Sequence, residues 1–223
     1  MISLQGVSKT YMMGEQQVHA LKSTDLTIES GELVAIVGAS GSGKTTLMNL
    51  LGLLDKPTTG TYLLNHENTS NMTSNQEAAY RNKTIGFIFQ SFYLLSKLTA
   101  LENVMLPLMY RDDSKEQMKE KAMALLDRVE MQPYAKHHPT ELSGGQQQRI
   151  AIARALIGDP VLILADEPTG ALDTQTGHLV MDLLTGFNKS DGVTLLMITH
   201  DPNVAQQCRR IVHIEDGILT EGS

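Results

Sequence analysis

The chain has a single cysteine, Cys208, in 223 residues. No intrachain disulfide is therefore available, and the residue reads as a small buried hydrophobe rather than a reactive thiol. Long hydrophobic runs are missing as well: nothing approaches the roughly 18–20 apolar residues that cross a bilayer, so no membrane span is expected. The start, Met1-Ile2-Ser3-Leu4-Gln5, has neither a positive lead nor an apolar stretch, and no signal peptide is expected. Excess positive charge is lacking too. A formal net charge of −7 argues against a general nucleic-acid partner, which needs clustered Lys and Arg. It leaves room for a nucleotide site, where one lysine and a ring of backbone amides suffice. There is no internal repeat and no low-complexity tail, and a hydrophobic fraction of 41% fits a globular chain with a sizeable core.

What is present centres on Gly38-Ala39-Ser40-Gly41-Ser42-Gly43-Lys44-Thr45. The apolar run Leu33–Val37 enters this stretch and a helical segment, Thr46 to Leu54, leaves it. Strand, glycine-rich loop, helix is the context that a phosphate-binding loop requires. The glycines let successive N–H groups curl around an anion at a helix start. Lys44 reaches the outer phosphates, and the Thr45 hydroxyl can sit on Mg²⁺.

Around this loop the pattern predicts an α/β fold: a P-loop NTPase (RecA-like) parallel-sheet core with an N-terminal antiparallel β part and an inserted helical subdomain. Residues 2–10 fit an edge strand, and Val18 to Ile28 alternates loosely. Asp55–Gly60 is a break, residues 65–77 are surface loop with a short helix, and Ile85–Phe89 is a buried strand. From residue 91 to 157 the texture turns helical, with capping-box spacing at Thr99/Glu102 and Ser114/Gln117. Continuous apolar runs at 161–165 and 193–198 read as strands covered on both faces. A helix follows Asp173, another starts at Asp201-Pro202, and residues 211–220 form a final hairpin. The expected division is a nucleotide-binding core of 1–90 and 158–223 with a helical subdomain at 91–157.

Several residues carry candidate chemistry. Asp166-Glu167 closes the strand 161–165, where open parallel sheets hold ligands. Asp166 can help hold Mg²⁺, and Glu167 can polarise the water that attacks a γ-phosphoryl group. Ser143-Gly144-Gly145-Gln146 precedes a helix and forms a second anion nest, unless Ser143 serves only as its N-cap. A second nest is economical if it closes over the nucleotide of another copy, which predicts a symmetric dimer around two nucleotides. Gln90 ends a core strand and can touch Mg²⁺ or the attacking water, or be a surface glutamine. His200 can bond the γ-phosphate, or be structural. Tyr11 can stack on adenine, or simply pack.

In this order the stretches resemble the nucleotide-binding subunit of an ATP-binding cassette transporter, over essentially the whole chain. Tyr11 matches the aromatic loop, 38–45 the Walker A motif with Thr46 behind it, and Gln90 the glutamine loop. Leu142–Gln146 matches the signature, Val161–Glu167 the Walker B motif with its catalytic glutamate, Ala171–Asp173 the D-loop, and His200 the switch histidine. The resemblance implies ATP and Mg²⁺ as cofactors, with Lys44, Gln90, Glu167 and His200 catalytic and Thr45, Gln90 and Asp166 at the metal.

Phe87–Leu95, Leu98–Pro107, Gln146–Arg149 and Ala165–Asp173 are similar to the branch containing macrolide exporters, lipoprotein-releasing complexes and a cell-division ATPase. That branch implies a membrane permease partner with a large extracytoplasmic domain and, in some members, a periplasmic adaptor. The chain would then sit at the cytoplasmic face of the inner membrane. Ala171, where lipoprotein-releasing members frequently have Asn, tilts the reading toward export. The alternatives are an ATPase that signals through a membrane partner, and a soluble relative in DNA repair, translation or iron–sulfur assembly. The chain has no long coiled-coil insertion and no second cassette, and Leu98–Pro107 fits the transporter branch better than the iron–sulfur type.

Overall fold

The computed structural model describes residues 1–221. Along the chain come β1 (Ile2–Met13), β2 (Gln16–Ile28), β3 (Leu33–Val37), α1 (Lys44–Leu51), β4 (Thr59–Leu64), β5 (Glu67–Asn68), α2 (Ser74–Thr84) and β6 (Ile85–Phe89). There follow α3 (Ala100–Met105), α4 (Lys115–Arg128), α5 (Gly144–Leu156), β7 (Leu162–Asp166), α6 (Thr174–Asp191), β8 (Thr194–Thr199), α7 (Pro202–Ala205), β9 (Arg210–Glu215) and β10 (Ile218–Glu221). These elements fall into two compact units. One is Met1–Arg81 with the chain from Thr194 on, and the other is Asn82–Val193.

In the first unit β3 is a continuous apolar strand because it is flanked on both sides. It pairs in parallel with β8 and with β9, while β10 returns antiparallel along β9. Helix α1 buries Leu47, Met48, Leu50 and Leu51. The fully buried Tyr62 ring of β4 donates its hydroxyl to the Leu51 carbonyl at 2.8 Å, which is how so large a polar tip is satisfied inside. Burial pushes this phenol far above the ordinary tyrosine range.

The antiparallel sheet runs β2-β1-β4-β5. Strand β1 is therefore central rather than the edge strand its short apolar spacing suggested. Ile2, Leu4 and Val7 are buried, and the strand pairs on one side with Ile28 and Leu26 and on the other with Leu64 and Tyr62. Register shifts after Leu4 and Gln5 interrupt the alternation, which is why the sequence pattern looked too weak for a strand paired on both sides. The polar stretch before β6 holds a longer helix than expected. Of α2 only Thr84 is buried, so no apolar stripe announced it.

In the second unit β6 and β7 pair in parallel, Ile85 with Leu162 through Phe89 with Asp166. Helices α3, α4 and α5 each open with a complete capping box, at Thr99/Glu102, Ser114/Gln117 and Ser143/Gln146. The loop between β6 and α3 lies in no sheet or helix, so its backbone groups need side-chain partners. Asn103, fully buried, supplies one: its Oδ1 accepts from Leu95 N–H at 2.7 Å, and its Nδ2 donates to the carbonyls of Leu95, Leu98 and Thr99. Replacing Asn103 with Leu keeps the branching at Cγ and strands those groups. Urea unfolding should show a loss of about 2–3 kcal/mol.

Candidate functional site

The candidate residues lie in both units, and each group is built within its own. In the first unit Val37 pairs with Thr199 on the parallel strands β3 and β8, so the residues that follow, Gly38 and His200, leave adjacent strand ends on the same side. The loop then runs into α1. This helix begins on Gly43, which is left-handed (φ 109°), with no side-chain cap and no acidic residue in its first turn. By contrast α3, α4, α5, α6 and α7 each start on a side chain that accepts from a first-turn N–H: Thr99, Ser114, Ser143, Asp173 and Asp201. The N–H groups at the start of α1 thus have no side-chain cap, and they lie at the positive end of the helix dipole.

Gly43 cannot be replaced. A Cβ there would lie 2.5 Å from the Ala20 carbonyl oxygen. The loop is held from outside by Gly217 N–H, which donates to the Ser42 carbonyl at 2.9 Å. Lys44 turns back so that its ammonium donates to the Gly38 and Ala39 carbonyls at 2.8 and 2.7 Å. Thr45 is exposed and Thr46 half-buried.

Tyr11 is fixed, which its sequence did not reveal. Its hydroxyl donates to Asp55 Oδ2 at 2.8 Å, and Lys9, which also bonds Asp55 at 2.6 Å, lies 4.9 Å from the ring centroid. One ring face is therefore taken by an ammonium. Burial works to raise the Asp55 pKa, but bonds from Lys9, Tyr11 and the Lys56 N–H outweigh it and hold the carboxyl below its ordinary value.

In the second unit Phe89 and Asp166 are paired, so Gln90 and Glu167 leave the adjacent ends of β6 and β7 together. Glu167 is left-handed (φ 46°), an uncommon backbone for a residue with a side chain. Its carbonyl accepts from Gly170 N–H at 3.0 Å. The Gln90 carboxamide lies directly on Gly170, where a Cβ would meet its Nε2 at 2.9 Å. Gln90 and the turn after Glu167 are thus in contact. Beyond Gln90, Phe92 and Tyr93 are both left-handed, and the largely buried Arg154 of α5 donates to their carbonyls at 2.7 and 2.5 Å.

At the start of α5, Ser143 Oγ accepts from Gln146 N–H, and Gln146 Oε1 accepts from Ser143 N–H at 2.9 Å. Gly145 permits a close approach to α6, since a Cβ would sit 2.3 Å from Thr176 Cγ2. Thr176 cannot rotate away cheaply, because its Oγ1 donates to Asp173 Oδ2 at 2.6 Å. That bond, with the Thr176 N–H, also keeps the Asp173 carboxyl below its ordinary pKa.

Comparison with known proteins decides the family. A family model described as ABC transporter matches residues 21–170, more than half of the chain. The chain belongs to the ABC transporter family. It is an ABC-type ATPase. Over 221 residues it is 49% identical to the macrolide export ATP-binding/permease protein MacB of Syntrophobacter fumaroxidans, covering 98% of this chain and 31% of that protein. Over 223 residues it is 48% identical to the uncharacterized ABC transporter ATP-binding protein YknY of Bacillus subtilis, covering 100% and 96%. The chain therefore spans about a third of the MacB relative and nearly all of YknY. A solved dimeric structure of the post-hydrolysis state of the ATP-binding cassette MJ0796 bound to ADP and Pi is similar at a TM-score of 0.89 and 45% identity, over 99% of this chain and 98% of that one. The MJ0796 protein comes from Methanocaldococcus jannaschii.

Two outcomes follow for this cassette. Gly145→Ala should cost about 1–3 kcal/mol by clash with Thr176, and adding Thr176→Ser, which removes the opposing methyl, should restore most of the thermal midpoint. Because the folded Asp55 pKa is depressed, its stabilisation is present above the ordinary carboxylate value of about 4 and is lost as pH falls through the folded value. Between about pH 7 and pH 3, Asp55→Asn should lose less of its urea midpoint than the wild type.

Proposed function

We propose that this ATPase is the motor subunit for a separate membrane permease, binding ATP on the 38–45 loop and dimerising around two nucleotides. The observation that carries the reading is the start of α1. It is a helix terminus with no cap of its own, and it has a lysine in its first turn and a loop held open by Gly43. On binding, Lys44 exchanges two neutral carbonyls for charged phosphate oxygens, a stronger class of hydrogen bond. Tyr11 offers adenine the ring face opposite Lys9. His200 bonds the γ-phosphate, and Glu167 orients and polarises the attacking water.

Mg²⁺ suits the donors available: the Thr45 hydroxyl, the Gln90 carboxamide and the Asp166 carboxylate are all oxygen ligands. Among the described residues no three His, Cys, Asp or Glu side chains cluster as a metal site. That fits an ion which brings its remaining ligands with the substrate. When bound, it neutralises charge developing on the outer phosphates.

A second copy supplies Ser143, Gly144, Gly145 and Gln146. Ser143 spends only an acceptor position on its own helix, so its hydroxyl proton remains to be given to a phosphate oxygen. The relative's dimeric, ADP- and Pi-bound structure supports this arrangement.

The partner reading rests on the MacB relatives, which carry permease in their names, and on the segment after Gln90. There Tyr93, Leu95, Met109 and Tyr110 are exposed, Tyr110 by 83%. Such apolar side chains suit a cytoplasmic helix of a permease bearing a large extracytoplasmic domain, with the residues 91–157 subdomain as the moving part. The function is export through that permease. The chain works at the cytoplasmic face of the membrane. None of its helices is long and apolar enough to cross one, among the described residues.

Glu167→Gln tests the motor. It should bind ATP as the wild type does, hydrolyse it about 100-fold more slowly or worse, and elute as an ATP-dependent dimer in size-exclusion chromatography. Turnover at the wild-type rate would remove Glu167 from the catalytic role.

A further inference from the structure

We propose that Gln148 is a positioning residue for Glu167; the inference rests on Glu167 being the catalytic carboxylate. Gln148 lies on α5 and is fully buried. Its Nε2 donates to the Pro168 carbonyl at 2.5 Å. A carbonyl only accepts, so this bond decides which end of the amide faces the turn. The other end, Oε1, is then a buried acceptor with no hydrogen-bond partner among the described residues. Burying a carboxamide half-satisfied is unfavourable, and an apolar side chain of the same size would fill the space without that cost. Stability does not account for a glutamine here, but its hold on Pro168 does.

That hold matters because of what Pro168 does to its neighbour. A proline steers the preceding residue toward extended backbone, yet Glu167 sits at φ 46°. Proline has no N–H, so its carbonyl is the one backbone group at this position that another element can grip. Gly170 N–H ties the turn to itself through the Glu167 carbonyl. Gln148 ties it to a helix whose first turn is fixed by the Ser143–Gln146 box. The Glu167 carboxylate is thereby aimed from α5, and a step in the angle of that helix is a step in the aim of the catalyst.

The test compares Gln148→Met, Glu167→Gln and the double variant in steady-state and single-turnover ATP hydrolysis, with equilibrium nucleotide binding and thermal midpoints. Gln148→Met should lower kcat about tenfold or more, with nucleotide affinity unchanged within about twofold. Its thermal midpoint should not fall. In the Glu167→Gln background the same substitution should change the residual single-turnover rate by less than about twofold, since no carboxylate is left to aim. If Gln148→Met keeps its kcat while Glu167→Gln is silent, the positioning role falls and the catalytic reading of Glu167 stands. An equal rate loss in both backgrounds, or a parallel loss of nucleotide affinity, also overturns it. Wild-type turnover by Glu167→Gln takes both readings down. Should Gln148→Met fail to fold, Gln148→Asn, which withdraws the amide by one methylene, decides by the same readings.

Discussion

A helix begins with N–H groups that its own backbone cannot satisfy, and this protein's chemistry depends on where that debt is left open. Among the described residues six helices close it with side chains at their starts, from Thr73 to Asp201. Helix α1 does not, because Gly43, left-handed at its start, has no side chain to offer. In the proposed function an anion completes the structure at that point. The lysine that would meet it is meanwhile held in place by the Gly38 and Ala39 carbonyls.

The second unit solves a different problem, that of holding backbone in unfavourable shapes. Glu167, Phe92 and Tyr93 all have left-handed backbones without being glycine. Each such position persists only if its surroundings over-determine it. One helix does much of that: α5 reaches Pro168 through Gln148 and the Phe92 and Tyr93 carbonyls through Arg154. Burial lowers the Arg154 pKa, but a guanidinium stays charged, so its grip on those carbonyls survives any physiological pH. The turn that opens α5 at Ser143, the turn after Gln90 and the turn after Glu167 are thus attached to one rod.

Local chemistry made much of this readable from residues alone. The buried strands β3, β6, β7 and β8 are short continuous apolar runs, and Thr99/Glu102 and Ser114/Gln117 announce helix starts by spacing that reflects the hydrogen bonds they make. The strand, glycine-rich loop and helix over residues 33–51 are likewise a local pattern. What could not be read is what depends on pairing or packing at a distance. The central place of β1 depends on β4, some fifty residues on. Gln148 looks like one more polar residue in a run of glutamines until the fold buries it. Tyr11 looked uncommitted because Lys9 and Asp55, which fix its ring, meet only when β1 lies beside the chain that follows α1.

The strand that feeds the phosphate loop is flanked by β8 and β9, and the loop itself is pinned by Gly217. Much of what braces this loop therefore comes from far along the sequence, from Thr194 onward. A nascent chain leaving the ribosome carries the whole glycine-rich motif early, but lacks β8, β9 and the Gly217 tie until the β9–β10 hairpin has been made. The loop should then reach its folded shape only once Gly217 has emerged, late in the synthesis of this stretch of chain.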